Sequence, residues 1–259
     1  MTAVLQRSTE QRVTEADVRT ALDTVIDPEL DEPVTDLGFV RSVAVEGPDG
    51  CDVRVHLRLP TSFCAPNFAW LMVSDARDAV RAVPGVGRVV VELDDHHDSD
   101  LINAGLAADA GYRGTFGHEA EESLDELRAT FQRKAHTAAM ERALTSWLRA
   151  DPARTEDDVA ALRLCDLPAG RETDSLLSRR AALRLPLTPT SPVLLAPDGT
   201  PPEPGQVALT LRRARSVRIS VDGNAHFCRG LLTTRYPGSD ADQVFRPSVD
   251  SALPLEVLR

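Results

Sequence analysis

The side chain best placed to do chemistry is the cysteine in Pro60-Thr61-Ser62-Phe63-Cys64-Ala65-Pro66. Before it, residues 51–59 alternate: Cys51, Val53, Val55, Leu57 and Leu59 on one face, Asp52, Arg54, His56 and Arg58 on the other, the period of a half-buried strand. After it, Phe68, Leu71, Met72, Ala76, Ala79, Val80 and Val83 recur at steps of three and four, which predicts an amphipathic helix over 67–83. Cys64 is therefore expected in a strand-to-helix turn, where unpaired N–H groups and the positive end of the helix favour a thiolate. Cysteines in such turns are the reactive or metal-binding kind; the alternative is a small buried hydrophobe.

Other groups with chemical potential lie on either side. Asp27-Pro28-Glu29 and Asp36 place three carboxylates around a proline and the glycine Gly38, and they also read as an ordinary loop with a cap and a turn. Asp94-Asp95-His96-His97-Asp98 offers nitrogen and oxygen donors of the type metals take, or a solvated acidic loop. Adjacent histidines point in different directions on most backbones, so at most one would serve a shared metal. His226 and Cys228, two apart, read either as a ligand pair on an extended segment or as a buried cysteine beside a capping turn.

The elements that must position these residues follow from periodicity and punctuation. Thr14 and Asp17 form a capping box, with Val13 and Val18 as a hydrophobic staple, so a helix is expected from residue 14 to Pro28. A strand over 39–46, the turn Gly47-Pro48-Asp49-Gly50, the Cys64 strand and helix, the break at Pro84-Gly85 and a third strand over 88–93 complete the pattern. Strand, helix, strand at this spacing is a crossover unit, expected to be right-handed if the strands are parallel. Their C-terminal ends would then share one sheet edge, where ligands sit in open α/β sheets, and bring Cys64 and residues 94–98 together.

The fold class expected is α+β, with a small mixed α-β-β-α-β sheet domain over 12–98 and a largely helical region over 119–259. Residues 99–118, with Gly105, Gly111, Gly114 and Gly117, read as a linker. Beyond it a long helix is expected over 119–148, with Leu124, Leu127, Phe131, Leu144, Trp147 and Leu148 as its core, and shorter helices over 156–162 and 174–183. Seven prolines between 186 and 204 exclude regular structure and suggest a wrapping arm. Val217, Ile219 and Val221 alternate as a short strand ended by Asp222-Gly223, and a final helix is expected from Asn224.

Composition excludes several classes. A net charge of −11 argues against nucleic-acid or anionic-membrane binding, and no apolar run approaches the roughly 20 residues of a membrane span. Four scattered cysteines make no disulfide framework, and without a CxxC a closed single-chain zinc or four-thiolate site is not expected. A reducing cytoplasm is the expected compartment.

In order, Asp27-Pro28-Glu29, Val34-Thr35-Asp36-Leu37-Gly38-Phe39-Val40, a hairpin and a Thr-x-x-Cys-x-Pro turn resemble the metal–sulfur cluster assembly family, which includes SufT-like and PaaD-like proteins. The resemblance covers about residues 12–94. It implies that Cys64 is the reactive or metal-associated residue, with Asp27, Glu29 and Asp36 in support. Ala65 stands where the family often has a proline, and Ser62-Phe63 replaces a proline-containing pair. Ile102-Asn103-Ala104-Gly105, residues 124–131 and residues 223–232 resemble extended versions found with soluble di-iron monooxygenases in actinobacteria.

The function this implies is a non-enzymatic maturation factor. It would bind iron or an iron–sulfur cluster transiently through Cys64, with a homodimer sharing the site between two chains as one arrangement, and serve a client metalloenzyme. Two other readings stand beside it: an adaptor or chaperone that holds an oxygenase complex without metal, and a cysteine-dependent hydrolase or transferase with His96 or His97 as base.

Overall fold

The structure, a computed structural model, describes residues 12–47, 50–117 and 124–245. The chain divides into two units: one takes the described residues of Met1–Asp27, Glu32–Leu124 and Phe227–Val244, the other those of Pro28–Asp31, Asp125–His226 and Phe245–Arg259.

The first unit is built on a three-stranded sheet whose strands, Val40–Glu46, Asp52–Arg58 and Val89–Asp94, lie side by side in chain order. Helix α1 (Glu15–Leu22) begins at the expected capping box, with Thr14 Oγ1 accepting from the Asp17 N–H and Asp17 accepting from the Thr14 N–H, and Val13 and Val18 are both buried. Two short strands follow, β1 (Ile26–Asp27) antiparallel to β2 (Glu32–Pro33). Strand β3 (Val40–Glu46) runs antiparallel to β4 (Asp52–Arg58), with an irregularity between Val40 and Ser42. Pro48 and Asp49 of the expected hairpin turn lie outside the described residues. Strand β5 (Val89–Asp94) is parallel to β4 across the crossover helix α2 (Pro66–Arg81), in register from Val53↔Val89 to Arg58↔Asp94. Val53, Val55, Leu57, Val91 and Leu93 of the sheet are buried, as are Leu71, Met72, Ala76 and Val80 of α2.

Where glycine-rich sequence suggested a linker, the chain forms helices α3 (Ser99–Ala107) and α4 (Gly111–Phe116). The glycines serve close packing and turning. A Cβ on Gly105 would meet Thr115 Oγ1 at 2.0 Å, and Gly111 has φ of +69°. Phe116 and Tyr112 close over Trp70 of α2, at 6.1 and 6.2 Å between ring centroids, so aromatic packing holds this stretch.

The second unit is helical. Its long helix α5 (Leu124–Arg149) buries Ala139, Met140, Ala143 and Leu144 against Val159, Leu162, Leu176, Val193, Leu194 and Leu211. Leu124, Leu127 and Phe131, expected in that core, are only part-buried. Residues 156–161 form a 3₁₀ helix, and α6 spans Arg171–Ala182. The proline-rich segment has neither helix nor long strand, and its backbone is held from inside. The fully buried Arg180 donates to the carbonyls of Pro186, Pro192 and Val193 at 3.3, 2.7 and 2.6 Å.

The short strand expected over 217–221 is absent. One 29-residue helix, α7 (Val207–Arg235), runs through it, and its last residues belong to the first unit. Leu211, Ala214, Arg218, Val221, Ala225, Arg229 and Leu232 are buried at helical steps, whereas Ile219 is 56% exposed. The helical period spanned the whole segment, and the three alternating β-branched residues were a local coincidence within it. The expected start at Asn224 therefore falls mid-helix. Asp222-Gly223 lies within the helix and is not a turn.

Candidate metal centre

The parallel pairing of β4 and β5 puts their C-terminal ends on one edge, and the loops that leave them are bonded together. The N–H of His97 donates to the Ser62 carbonyl at 2.9 Å. His96, whose side chain has no exposed area, sets the cysteine turn. Its Nδ1 accepts from the Asp98 N–H at 3.1 Å, so the ring proton is on Nε2, which donates to the Cys64 carbonyl at 2.8 Å. Both ring nitrogens are thus engaged with backbone.

Within the turn, Thr61 Oγ1 accepts from the Phe63 N–H at 3.2 Å and lies 3.5 Å from Cys64 Sγ. Ala65 caps α2 with its backbone alone and Pro66 takes the first helical position, where a missing N–H costs nothing. Cys64 is part-exposed. Phe63, 79% exposed, stacks on the exposed His97 ring at 5.9 Å, so an apolar and aromatic rim stands beside the cysteine.

The carboxylates are arranged differently. Asp27 is buried on β1 in the first unit. Asp36 is buried in the loop before β3, its carbonyl accepting from the Val244 N–H at 2.9 Å and from Arg229 at 3.4 Å. Glu29 belongs to the second unit, where its Oε1 accepts from Asn224 at 3.2 Å. Among the described residues, no group of three or more His, Cys, Asp or Glu side chains could hold a metal ion. His226 and Cys228 lie within α7, so they are not on an extended segment.

Several positioning residues carry no signal in the local sequence. Arg235, at the end of α7, donates to the Leu59 carbonyl at 3.1 Å and to the Asp95 carbonyl, tying the start of the cysteine turn to the loop after β5. Tyr236 donates to Asp95 Oδ2 at 3.1 Å, and burial raises its phenol above the usual value. Asp95 itself has a left-handed backbone, with φ of +53°. Arg58 donates to the Gly38 carbonyl at 3.2 Å and pairs with Asp242 at 2.6 Å. On the outer face of the sheet, the hydrogen bond from Arg41 to Asp94 raises the guanidinium above its usual value.

Residues 15–92 match the family described as iron–sulfur cluster assembly protein. Iron–sulfur cluster carrier proteins are similar over the same region. That of Mycobacterium tuberculosis is 46% identical over 79 residues, 30% of this chain and 20% of the relative; that of Mycobacterium leprae is 38% identical over 77 residues, 30% and 19%. An uncharacterized protein of Methanocaldococcus jannaschii is 34% identical over 91 residues, 35% of this chain and 92% of that one. The chain belongs to this iron–sulfur cluster assembly family, as its ordered motifs suggested. It spans about a fifth of the length of the curated cluster carriers it matches. No solved structure matches it. Among the described residues, no helix is long and apolar enough to cross a membrane.

Proposed function

We propose that this chain is a maturation factor that holds iron or an iron–sulfur cluster transiently at Cys64 and passes it to a client metalloenzyme. The observation that carries this reading is the cysteine itself: part-exposed, ahead of a helix N-terminus, its backbone carbonyl fixed by the buried His96. A thiolate is a soft ligand suited to iron and its clusters. One chain supplies that soft ligand; a second copy, the client or a small thiol completes the coordination, which suits a cargo that must be released. Asp27 and Asp36 are assigned supporting roles as oxygen donors or tuning charges. The resemblance of the region beyond residue 100 points to a soluble di-iron monooxygenase as the client, and in this reading the chain is not itself the catalyst.

The hydrolase reading loses one of its two candidate bases at the same place. A base for Cys64 Sγ needs a free ring nitrogen, and both nitrogens of His96 are occupied by backbone partners. The adaptor reading keeps the exposed Phe63 and His97 rim as a contact surface and needs no metal.

Anaerobic reconstitution with ferrous iron and sulfide separates the readings. The wild-type chain should retain iron with thiolate-to-iron absorption after desalting, and Cys64→Ser should lose most of both while remaining folded. Equal retention by the two proteins removes the metal-handling mechanism. Co-production with an oxygenase client is the second arm. The Cys64→Ser variant should leave the client bound but metal-poor, whereas a fully metallated client would favour the adaptor.

A further inference from the structure

Helix α7 buries Ala214, Val221, Ala225 and Leu232 on one side. With 3.6 residues per turn, the opposite side carries Ser216, Ile219, Gly223, Phe227, Gly230 and Thr234, each within about 40° of Gly223 around the axis. All six are exposed. They form a row about 27 Å long at 1.5 Å per residue. Ile219 is 56% and Phe227 66% exposed, so two large apolar side chains stand in water on one helix face. Single exposed apolar residues need no explanation, but large ones set in a row with glycines do.

Glycine is a poor helix former, yet Gly223 and Gly230 both lie inside this helix. Gly105 has its reason in the approach of Thr115. At Gly223 and Gly230, among the described residues, no neighbouring side chain or element stands within 4 Å of a built Cβ. Packing within the chain therefore calls for neither. A glycine on an open helix face is a hole between its neighbours, and it lets a second backbone come close.

The order of large and small residues along the row says what fits it. A second α7 laid antiparallel on the first, with a twofold axis beside Ala225, puts Phe227 of each helix opposite Gly223 of the other. The same axis puts Ile219 opposite Gly230 to within one residue, and Ser216 opposite Thr234. Both large side chains thus meet a glycine under a single symmetry operation, which is the self-complementarity a twofold interface requires. A parallel pair in register would set Phe227 on Phe227 and glycine on glycine, leaving the holes empty. Sliding it to fill them loses the twofold axis. Charge favours the same direction. Arg212 continues the row at its N-terminal end with Arg213 beside it, both exposed. Parallel pairing would bring these arginines of the two chains together, whereas antiparallel pairing holds them at opposite ends and opposes the helix dipoles.

From this complementarity we infer that the outward face of α7 is an interface for a second copy of this chain, packed antiparallel with Phe227 over Gly223 and Ile219 over Gly230. A single helix pair lies at the small end of specific interfaces, so self-association in the micromolar range is expected. The inference does not depend on metal at Cys64 and does not require the two chains to share that site.

Sedimentation velocity of the full chain, from low micromolar to submillimolar concentration, should show a monomer–dimer equilibrium. Gly223→Gln with Gly230→Gln puts a good helix former at two open positions, so the melting temperature should hold or rise. The same pair of substitutions fills the holes and should weaken dimerisation at least tenfold. Phe227→Ala, at an exposed position, should also weaken it while leaving the fold intact. Orientation is read by mixing Ser216→Cys chains with Thr234→Cys chains under mild oxidation. The main new product, mapped by mass spectrometry, should be a disulfide between position 216 of one chain and position 234 of the other. A chain that stays monomeric throughout the range overturns the proposal, whether or not another protein takes the face. Dimerisation untouched by the two glutamines overturns it too, as do disulfides joining position 216 to position 216 in place of the mixed product.

Discussion

If His96 is a positioning residue, its loss should be felt at Cys64 without any metal present. His96→Phe keeps a planar ring of similar size in a site with no exposed area and removes both hydrogen bonds. The Asp98 N–H and the Cys64 carbonyl are then left without their ring partners at 3.1 and 2.8 Å. An orphaned buried group costs about 1–3 kcal/mol. Because the cysteine turn is part-exposed, its carbonyl recovers some of that from water, and a loss of roughly 2–4 kcal/mol is expected for the pair. Urea unfolding measures it. The second readout is the alkylation rate of Cys64 in the native state, mapped by mass spectrometry, which should rise severalfold as the turn loosens. His96→Gln retains one donor and one acceptor and should recover most of both quantities. A His96→Phe protein with wild-type stability and wild-type Cys64 alkylation would refute this role.

Two further tests address the second unit. His136 is fully buried, its ring nitrogens have no hydrogen-bond partner, and burial with the nearby charge of Arg180 lowers it from 6.5 to about 4. The folded state therefore resists a proton that the unfolded chain accepts. Its contribution is fully present above pH 6.5 and is lost as pH falls toward 4, by about 3 kcal/mol. The difference in unfolding free energy between wild type and His136→Leu, followed across that window, should shift by that amount in favour of the variant; a pH-independent difference would contradict it. Arg180→Met removes the donor to three carbonyls of the proline-rich segment. A loss of roughly 3 kcal/mol or more is expected, with new proteolytic cleavage between residues 186 and 196; wild-type protease resistance would count against the clamp.

How far the sequence could be read depended on whether a signal was local and periodic. Strand β4, helix α2 and strand β5 each bury one regular face, so their order, their parallel pairing and the meeting of Cys64 with residues 94–98 were legible from spacing alone. The capping box at Thr14 and Asp17 was equally legible, because it joins residues three apart. The glycines of 99–117 misled because sparse glycine reads as freedom, whereas Gly105 is small so that Thr115 can approach. The alternation at 217–221 misled because a five-residue window cannot separate period two from the 29-residue helix that contains it.

What the local pattern could not disclose is how the cysteine turn is fixed. Three groups do it, and each acts through a polar contact between distant positions: His96 on the Cys64 carbonyl, Arg235 on the carbonyls of Leu59 and Asp95, and Tyr236 on the Asp95 carboxylate. None lies on an apolar stripe, so hydrophobic periodicity is blind to them. The histidine was noticed for its donor chemistry, with a solvated acidic loop as the alternative, and the geometry gives its two nitrogens to the backbone. That reassignment changes the site. A histidine ligand would add a second, permanent hold on a metal at this edge, whereas a histidine that braces the turn leaves Cys64 as the soft donor beside an exposed aromatic rim. On the proposed reading, a site with one soft protein ligand would hold its cargo only together with ligands from elsewhere, and release would follow from exchange of those outside ligands without unfolding the turn. On the same reading, the bracing by Arg235 and Tyr236 would keep the turn's backbone fixed through such an exchange.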